Sequence, residues 1–150
     1  MLQINVLDKS QLSQIKPLWE NLNLIHLQDS VFFKEHYKSF SFEKRAKKWL
    51  DTPNEKIKIL GAYDSQNNIV GYCISTISSR NEGEIDSLYV DIDFRNQGVG
   101  KSLLEQSINW LKSKECSPIR LSVSHGHERV LGFYQKIGLF PRLIVLELKE

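Results

Sequence analysis

The sequence predicts a single α+β domain in which a central mixed, mostly antiparallel sheet carries helices on both faces. Three observations predict it. Up to about residue 50 the apolar residues recur with a helical period, and at Thr52-Pro53-Asn54 that period drops to near two. Three alternating segments then follow one another across short polar turns, which reads as an antiparallel meander. Helical spacing returns at residues 101–114 through Leu103, Leu104, Ile108 and Leu111, and strand-like and helical segments alternate from there to the end.

Taken in order, residues 3–7 alternate enough to open a strand, and Asp8 and Ser10 offer caps for a helix beginning near Gln11. Leu12, Ile15, Leu18, Trp19 and Leu22 share one helical face, and Phe42, Ala46, Trp49 and Leu50 share another. Residues 26–40 between them are ambiguous, with a break at Asp29-Ser30. Lys56-Ile57-Lys58-Ile59 starts the meander, Gln66-Asn67-Asn68 turns it into residues 69–77, and Asn81-Glu82-Gly83 turns it again into residues 84–90. Pro118 precedes a strand at 119–123, and residues 128–136 read as a short helix with Gly138 as its C-terminal glycine. Residues 143–148 close the chain as a strand. The order is β-αα-βββ-α-β-α-β.

Composition narrows the function classes. A chain of 150 residues buries about two thirds of its unfolded surface, enough for one core over residues 1–150. The 20 Lys and Arg against 18 Asp and Glu leave a formal charge of +2, too balanced to indicate a nucleic-acid partner. The opening residues reach Asp8 and Lys9 before a signal-peptide core can form, and no apolar run approaches the roughly 18 residues of a membrane span. A soluble, cytoplasmic protein is expected, with no membrane partner. Cys73 and Cys116 lack metal-ligand spacing and are expected to be reduced, and no metal is expected.

The chemistry concentrates in residues 95–102, Arg-Asn-Gln-Gly-Val-Gly-Lys-Ser. A phosphate-binding P-loop needs a glycine where this chain has Arg95, and a dinucleotide fingerprint needs a third glycine where it has Leu103. What remains is a strand ending at Val90, a polar bend over Asp91-Ile92-Asp93-Phe94, and two glycines in the first turn of an amphipathic helix. Free N–H groups and the positive end of the helix dipole make such a turn an anion site, with Arg95 beside it. The same glycines also suit a tight turn with no ligand.

The segment EIDSLYVDIDFRNQGVGKSLL resembles the signature of the GNAT superfamily of acyl-CoA-dependent N-acyltransferases, Arg/Gln-x-x-Gly-x-Gly/Ala after a strand, here Arg95, Gly98 and Gly100. A second segment, HERVLGFYQKIGLFPR, resembles the late motif of that family. The resemblance covers roughly residues 57–148 and implies a GNAT-like acyl-CoA N-acyltransferase fold, with acetyl-CoA as co-substrate in a V between two parallel strands. It implies pyrophosphate on Arg95, Asn96, Gln97, Gly98, Val99, Gly100 and Lys101, and pantetheine along Leu88, Tyr89 and Val90. Tyr134 falls on the tyrosine that many members use as general acid to the thiolate; as a plain core aromatic it would pack beside Phe133.

An amine must lose a proton before it attacks, because at neutral pH about one alkyl ammonium in a thousand is neutral. Glu84 lies 14 positions before Gly98, where the histone-acetylating branch of the family carries its base, and Asp86 points to the same strand face. Either is expected as the base, or both as solvated carboxylates that attract a cation. His127 stands where relatives usually have Asn and is expected to contact the pantetheine arm. Leu139 replaces the usual Phe after Gly138, with Phe140 next, a change of packing. The acceptor is expected to meet the N-terminal helices through Trp19, His26, Asp29 and Phe33, with Phe32 and Glu35 nearby, a mixture suited to a small cationic amine. The resemblance thus implies an N-acetyltransferase that attacks directly in a ternary complex on a small-molecule or peptide amine; the alternative is a non-catalytic acetyl-CoA-binding sensor or regulatory module. Nucleotide hydrolysis at Gly100-Lys101-Ser102 would require binding of ATP and magnesium through Lys101. The strand at 143–148 offers an edge for a homodimer.

Overall fold

In the computed structural model, which describes residues 2–150, five strands lie side by side in chain order: β1 (Gln3–Leu7), β2 (Ile57–Tyr63), β3 (Ile69–Ile77), β4 (Gly83–Val90) and β5 (Ile119–Leu121). The first four are antiparallel neighbours, and β5 alone runs parallel to β4. The meander is therefore β2 to β4. Its turns place Asn67 and Asn81 at positive φ, 64° and 59°, a conformation asparagine adopts at low cost.

Helices α1 (Lys16–Asp29), α2 (Lys34–Ser39) and α3 (Phe42–Asp51) belong to one side, α4 (Val99–Ser113) to the other, and α5 (Leu131–Lys136) follows β5. Strand alternation makes two cores from one sheet. Ile59, Tyr72 and Tyr89 pack with Leu18, Trp19 and Trp49, while their chain neighbours Leu60, Cys73 and Val90 pack with Leu103, Leu104 and Leu111 of α4.

The helix expected from Gln11 starts later as an α-helix. Asp8 caps a 3-10 turn, Lys9–Ile15, through a box in which its carboxylate accepts from Ser10 N–H and Gln11 Oε1 accepts from Asp8 N–H. Pro17 has no N–H to give, so the α-helix begins around it rather than running through it. β5 stops at Leu121, two residues short of expectation, because its pairing with β4 ends there. The late helix splits into a 3-10 turn, Glu128–Val130, and α5. Gly138 ends it at φ 101°, with its N–H on Gln135 O and Leu139 N–H on Tyr134 O, the two bonds of a Schellman motif. Leu139 packs on the α4-side core and Phe140 is exposed.

The strand expected at residues 143–148 does not form. Among the described residues no strand pairs with it, and Leu143, Ile144, Val145, Leu146 and Leu148 stand in solvent, Leu146 at 91% exposure. The composition is that of a strand, but a strand requires a neighbouring backbone, and none among the described residues is aligned with it. No helix among the described residues is long and apolar enough to cross a membrane.

Candidate active site

The parallel pairing of β4 and β5 spans Gly83↔Ile119, Glu84↔Arg120 and Ile85↔Leu121, and then ceases. Past that point the strands part around a cleft of about 270 Å³. Asp86, Ser87 and Leu88 line it from β4, and Ser122, Val123 and Ser124 line it from the chain after β5. Trp19, Asn23 and His26 of α1, His36 and Tyr37 of α2, Arg45 of α3, His127, and Tyr134 of α5 also line it, with Leu22, Phe40, Ile85, Leu121 and Val130 as its apolar floor. A β-bulge lies opposite Ile74 and Ser75, where β4 fits Asp86 in as an extra residue between Ile85 and Ser87. It turns two successive side chains, Asp86 and Ser87, toward the α1/α3 side, where they bond Trp49 and Tyr72.

The glycine loop lies at the end of β4. Asn96 and Gly98 have φ of 62° and 80°, and α4 begins immediately after. A Cβ on Gly98 would meet nothing within 4 Å, so this glycine answers a backbone conformation and leaves open space over the helix end. Arg95 donates from Nε to Val90 O at 2.9 Å, and its guanidinium lies 5.3 Å from the Tyr89 ring. It thereby fixes the loop to the strand end. Lys101 is exposed and 3.7 Å from Glu105. The N–H groups of this first turn have no preceding carbonyls to bond, and with the helix dipole they suit a phosphate.

The expected carboxylates occupy different settings. Asp86 has no exposed side-chain surface: Oδ2 accepts from Trp49 Nε1 at 2.9 Å and lies 2.8 Å from Lys48 Nζ, and Oδ1 accepts from Thr76 at 2.8 Å. Arg45 bonds its backbone oxygen. Glu84 is half-exposed, 3.7 Å from the same Lys48 Nζ, and outside the cleft wall. Tyr134 is half-buried against the α4-side core, and its phenol makes no hydrogen bond among the described residues. Burial pushes its phenol up to about 12, so it holds its proton across the neutral range.

Of the residues expected to meet the acceptor, Trp19 and His26 stand in the wall, Trp19 buried between the edges of Phe40 and Phe42. Asp29 reaches the wall through His127, whose Nδ1 is 2.8 Å from Asp29 Oδ2; Arg129 is 2.8 Å from the same oxygen. Burial would raise the Asp29 carboxyl, but the hydrogen bonds from His127 and Arg129 outweigh it and hold the group below its ordinary value. His26 meets the His127 ring edge-on at 5.2 Å, and its buried Nδ1 has no partner among the described residues. Burial first, and the neighbouring His127 second, push His26 down to about 4. Phe33, Phe32 and Glu35 are not in the wall; Phe32 stacks on His125, and Glu35 pairs with Lys38 in solvent.

Sequence reasoning missed Arg45, His36, Tyr37 and Ser124. Tyr37 donates to Ser124 Oγ at 2.9 Å across 87 residues of sequence. The ambiguous stretch 26–40 held its aromatic residues, and only the tertiary contact shows what they line. Both cysteines are free and buried, and burial pushes the Cys73 thiol up to about 12. Among the described residues no group of three or more His, Cys, Asp or Glu is arranged to hold a metal ion.

Residues 20–139 match the Acetyltransferase (GNAT) family. An uncharacterized N-acetyltransferase of Methanocaldococcus jannaschii is 31% identical over 72 residues, 48% of this chain and 32% of that protein. Mycothiol acetyltransferase of Propionibacterium freudenreichii is 31% identical over 98 residues, 63% of this chain and 30% of that protein. The matches thus span about a third of these relatives' length. In three dimensions the chain superposes on the PaiA N-acetyltransferase of Thermoplasma acidophilum, solved in complex with coenzyme A, with a TM-score of 0.72 at 23% identity, covering 92% of this chain and 89% of that one. That likeness shows the fold.

Proposed function

This chain belongs to the Acetyltransferase (GNAT) family, and on that premise we propose that it moves an acetyl group from acetyl-CoA to a primary amine by direct attack with both bound. One observation carries the reading: β4 parts from β5 at the cleft and then runs on through Val90 to the glycine loop and the free N–H groups of α4, so one strand links a walled cleft to an anion site. The structural neighbour that holds coenzyme A shares this fold. Bound acetyl-CoA supplies an activated acyl group and a sulfur leaving group.

Asn96, Gln97, Gly98, Val99, Gly100 and Lys101 would receive the pyrophosphate, chiefly through backbone N–H, with Arg95 bracing the loop. Past the pairing with β5, the edge of β4 along Leu88, Tyr89 and Val90 that does not pair with β3 faces an extended ligand amide as an added strand would, with Val90 O shared with Arg95. Tyr134 keeps a proton at its phenolic oxygen in the same cleft, available to the departing sulfur. The Cys73 thiol is buried and held protonated, which favours direct attack over an acyl-cysteine. Asp86, with both oxygens engaged, and Glu84, on Lys48, serve this reading as anchors of α3 to the strand.

The acceptor follows from the wall. Its one carboxylate among the described residues, Asp86, is already paired, and Asp29 is engaged by His127 and Arg129. Imidazoles, hydroxyls and Arg45 remain. They suit an amine on a body with hydrogen-bonding or anionic groups better than a polycation. The exposed apolar segment at 143–148 supports assembly as a homodimer, in which a second copy supplies the backbone this segment lacks.

The test is calorimetric titration with acetyl-CoA, using ATP with magnesium as the control, followed by thiol release across a panel of amines. Acetyl-CoA binding with amine-dependent release is expected. Binding without release for any amine would favour a sensor, and no binding would end the proposal.

A further inference from the structure

We propose that His127, oriented by Asp29, is the group that takes the proton from the acceptor ammonium. This rests on the transferase reading above and adds a residue to it. Asp29 is a carboxylate held ionised, so it can only accept, and Nδ1 of His127 at 2.8 Å must be the donor. In the neutral ring that leaves the lone pair on Nε2. Nε2 bonds nothing among the described residues, is not a sealed-off atom, and belongs to a side chain in the cleft wall with 14% of its surface exposed.

The fold goes to some length to make this pair, whose members lie 98 residues apart. The loop after β5 reaches the end of α1 through Gly126, at φ 97°, where a Cβ would lie 2.1 Å from the carbonyl oxygen of Asp29. Only glycine permits that approach. Tyr37 holds the same loop from α2 through Ser124. The other base candidates are less available: Asp86 has both oxygens engaged, Glu84 is outside the cleft, and His26 is half-buried with its Nδ1 sealed from solvent.

In the step itself an N–H bond of the ammonium breaks, its electron pair stays on nitrogen as the attacking lone pair, and the proton bonds to Nε2. Asp29 then faces an imidazolium, and the proton passes to water at the end of the cycle. The titratable and charged groups around His127 are Asp29 and His26 from α1, Tyr37 from α2, His125, Glu128 and Arg129 from its own loop and turn, and Tyr134 from α5.

The experiment compares wild type with His127→Gln and Asp29→Asn, using the best amine found, and measures kcat and KM against pH together with acetyl-CoA affinity. For His127→Gln the expected result is a fall in kcat of roughly 10²-fold, a KM within a few fold, unchanged acetyl-CoA affinity, and loss of the acid limb of the pH profile. Asp29→Asn should show a smaller fall and a displaced limb. Nitrogen-15 NMR of the imidazoles, with no ligand present, should find neutral His127 protonated on Nδ1 in the wild type. A wild-type pH profile retained by His127→Gln with kcat within about threefold overturns this inference alone, as does an Nε2-protonated ring. A wild type that binds acetyl-CoA but releases no thiol with any amine overturns the transferase reading, and this inference with it.

Discussion

His26 should make this protein lose stability in mild acid, over a range set by its burial. In the folded chain the ring is pushed from 6.5 down to about 4, first by burial and then by His127. Between those values the unfolded chain binds the proton and the folded one does not, so stability rises with pH. The contribution is complete above 6.5 and disappears as pH falls through about 4. Linkage gives a loss of about 2.5 kcal/mol between pH 7.5 and 4.5, approaching a ceiling of about 3 kcal/mol at 1.36 kcal/mol for each pH unit. Asp29 does not blur this window, since its carboxyl is held below 3.8 and its contribution fades only in stronger acid. Urea unfolding followed by tryptophan fluorescence at the two pH values measures the effect. His26→Phe keeps a ring against Tyr37 and His127 and removes the titration, so it should lose about 2.5 kcal/mol less than wild type across the interval. An equal loss in both proteins would refute the argument.

Three further outcomes are expected. Tyr134→Phe should lower kcat roughly 10²-fold with acetyl-CoA affinity intact, checked by steady-state kinetics beside calorimetry; undiminished turnover would remove the phenol from the reaction. Gly98→Ala should cost about 1 to 2 kcal/mol from its left-handed φ and should weaken acetyl-CoA binding, because the new methyl group occupies open space over the helix end; an unchanged Kd would place the phosphate elsewhere. Leu146→Lys should convert a dimer to a monomer in sedimentation analysis, and a wild-type monomer would show that residues 143–148 do not mediate self-association.

What the sequence disclosed depended on the range of the interaction behind it. The meander was legible because its turns are local: Asp64 Oδ1 accepts from Gln66 and Asn68 N–H within five residues. Gly138 was legible for the same reason. The start of α1 was misplaced because Asp8 marks a helical cap, yet Pro17 decides where the α-helix proper begins. The tail at 143–148 has the composition of a strand, but composition carries no information about a partner. In the site, Trp19, His26, Asp29, His127 and Tyr134 were each picked out by type or position, while Asp29 and His127 were assigned to opposite ends of the reaction. Their hydrogen bond depends on a loop packing that no local pattern encodes. Arg45 was passed over because it lies at the border of the buried face of α3, and Tyr37 because residues 26–40 show no clear period.

That packing is itself open to test at Gly126. An alanine there would place its Cβ 2.1 Å from the Asp29 carbonyl oxygen and 2.8 Å from the carbonyl carbon, at a φ of 97°. The obstacle is backbone, so no side chain can rotate away, and the loop must withdraw by something like 1 Å before ordinary contact returns. A hydrogen bond of 2.8 Å between His127 and Asp29 does not survive such a displacement. Gly126→Ala is therefore expected to lose more than about 1 kcal/mol of stability and to reduce turnover toward the level of His127→Gln, though it replaces no side chain of the cleft. Gly132, in α5 with nothing within 4 Å of its Cβ position, supplies the comparison: Gly132→Ala should be neutral or stabilising by up to about 1 kcal/mol, with normal turnover. If thermal unfolding and kinetics rank the two alanine variants equally, then the meeting of α1 with the loop after β5 has some cause other than the missing Cβ.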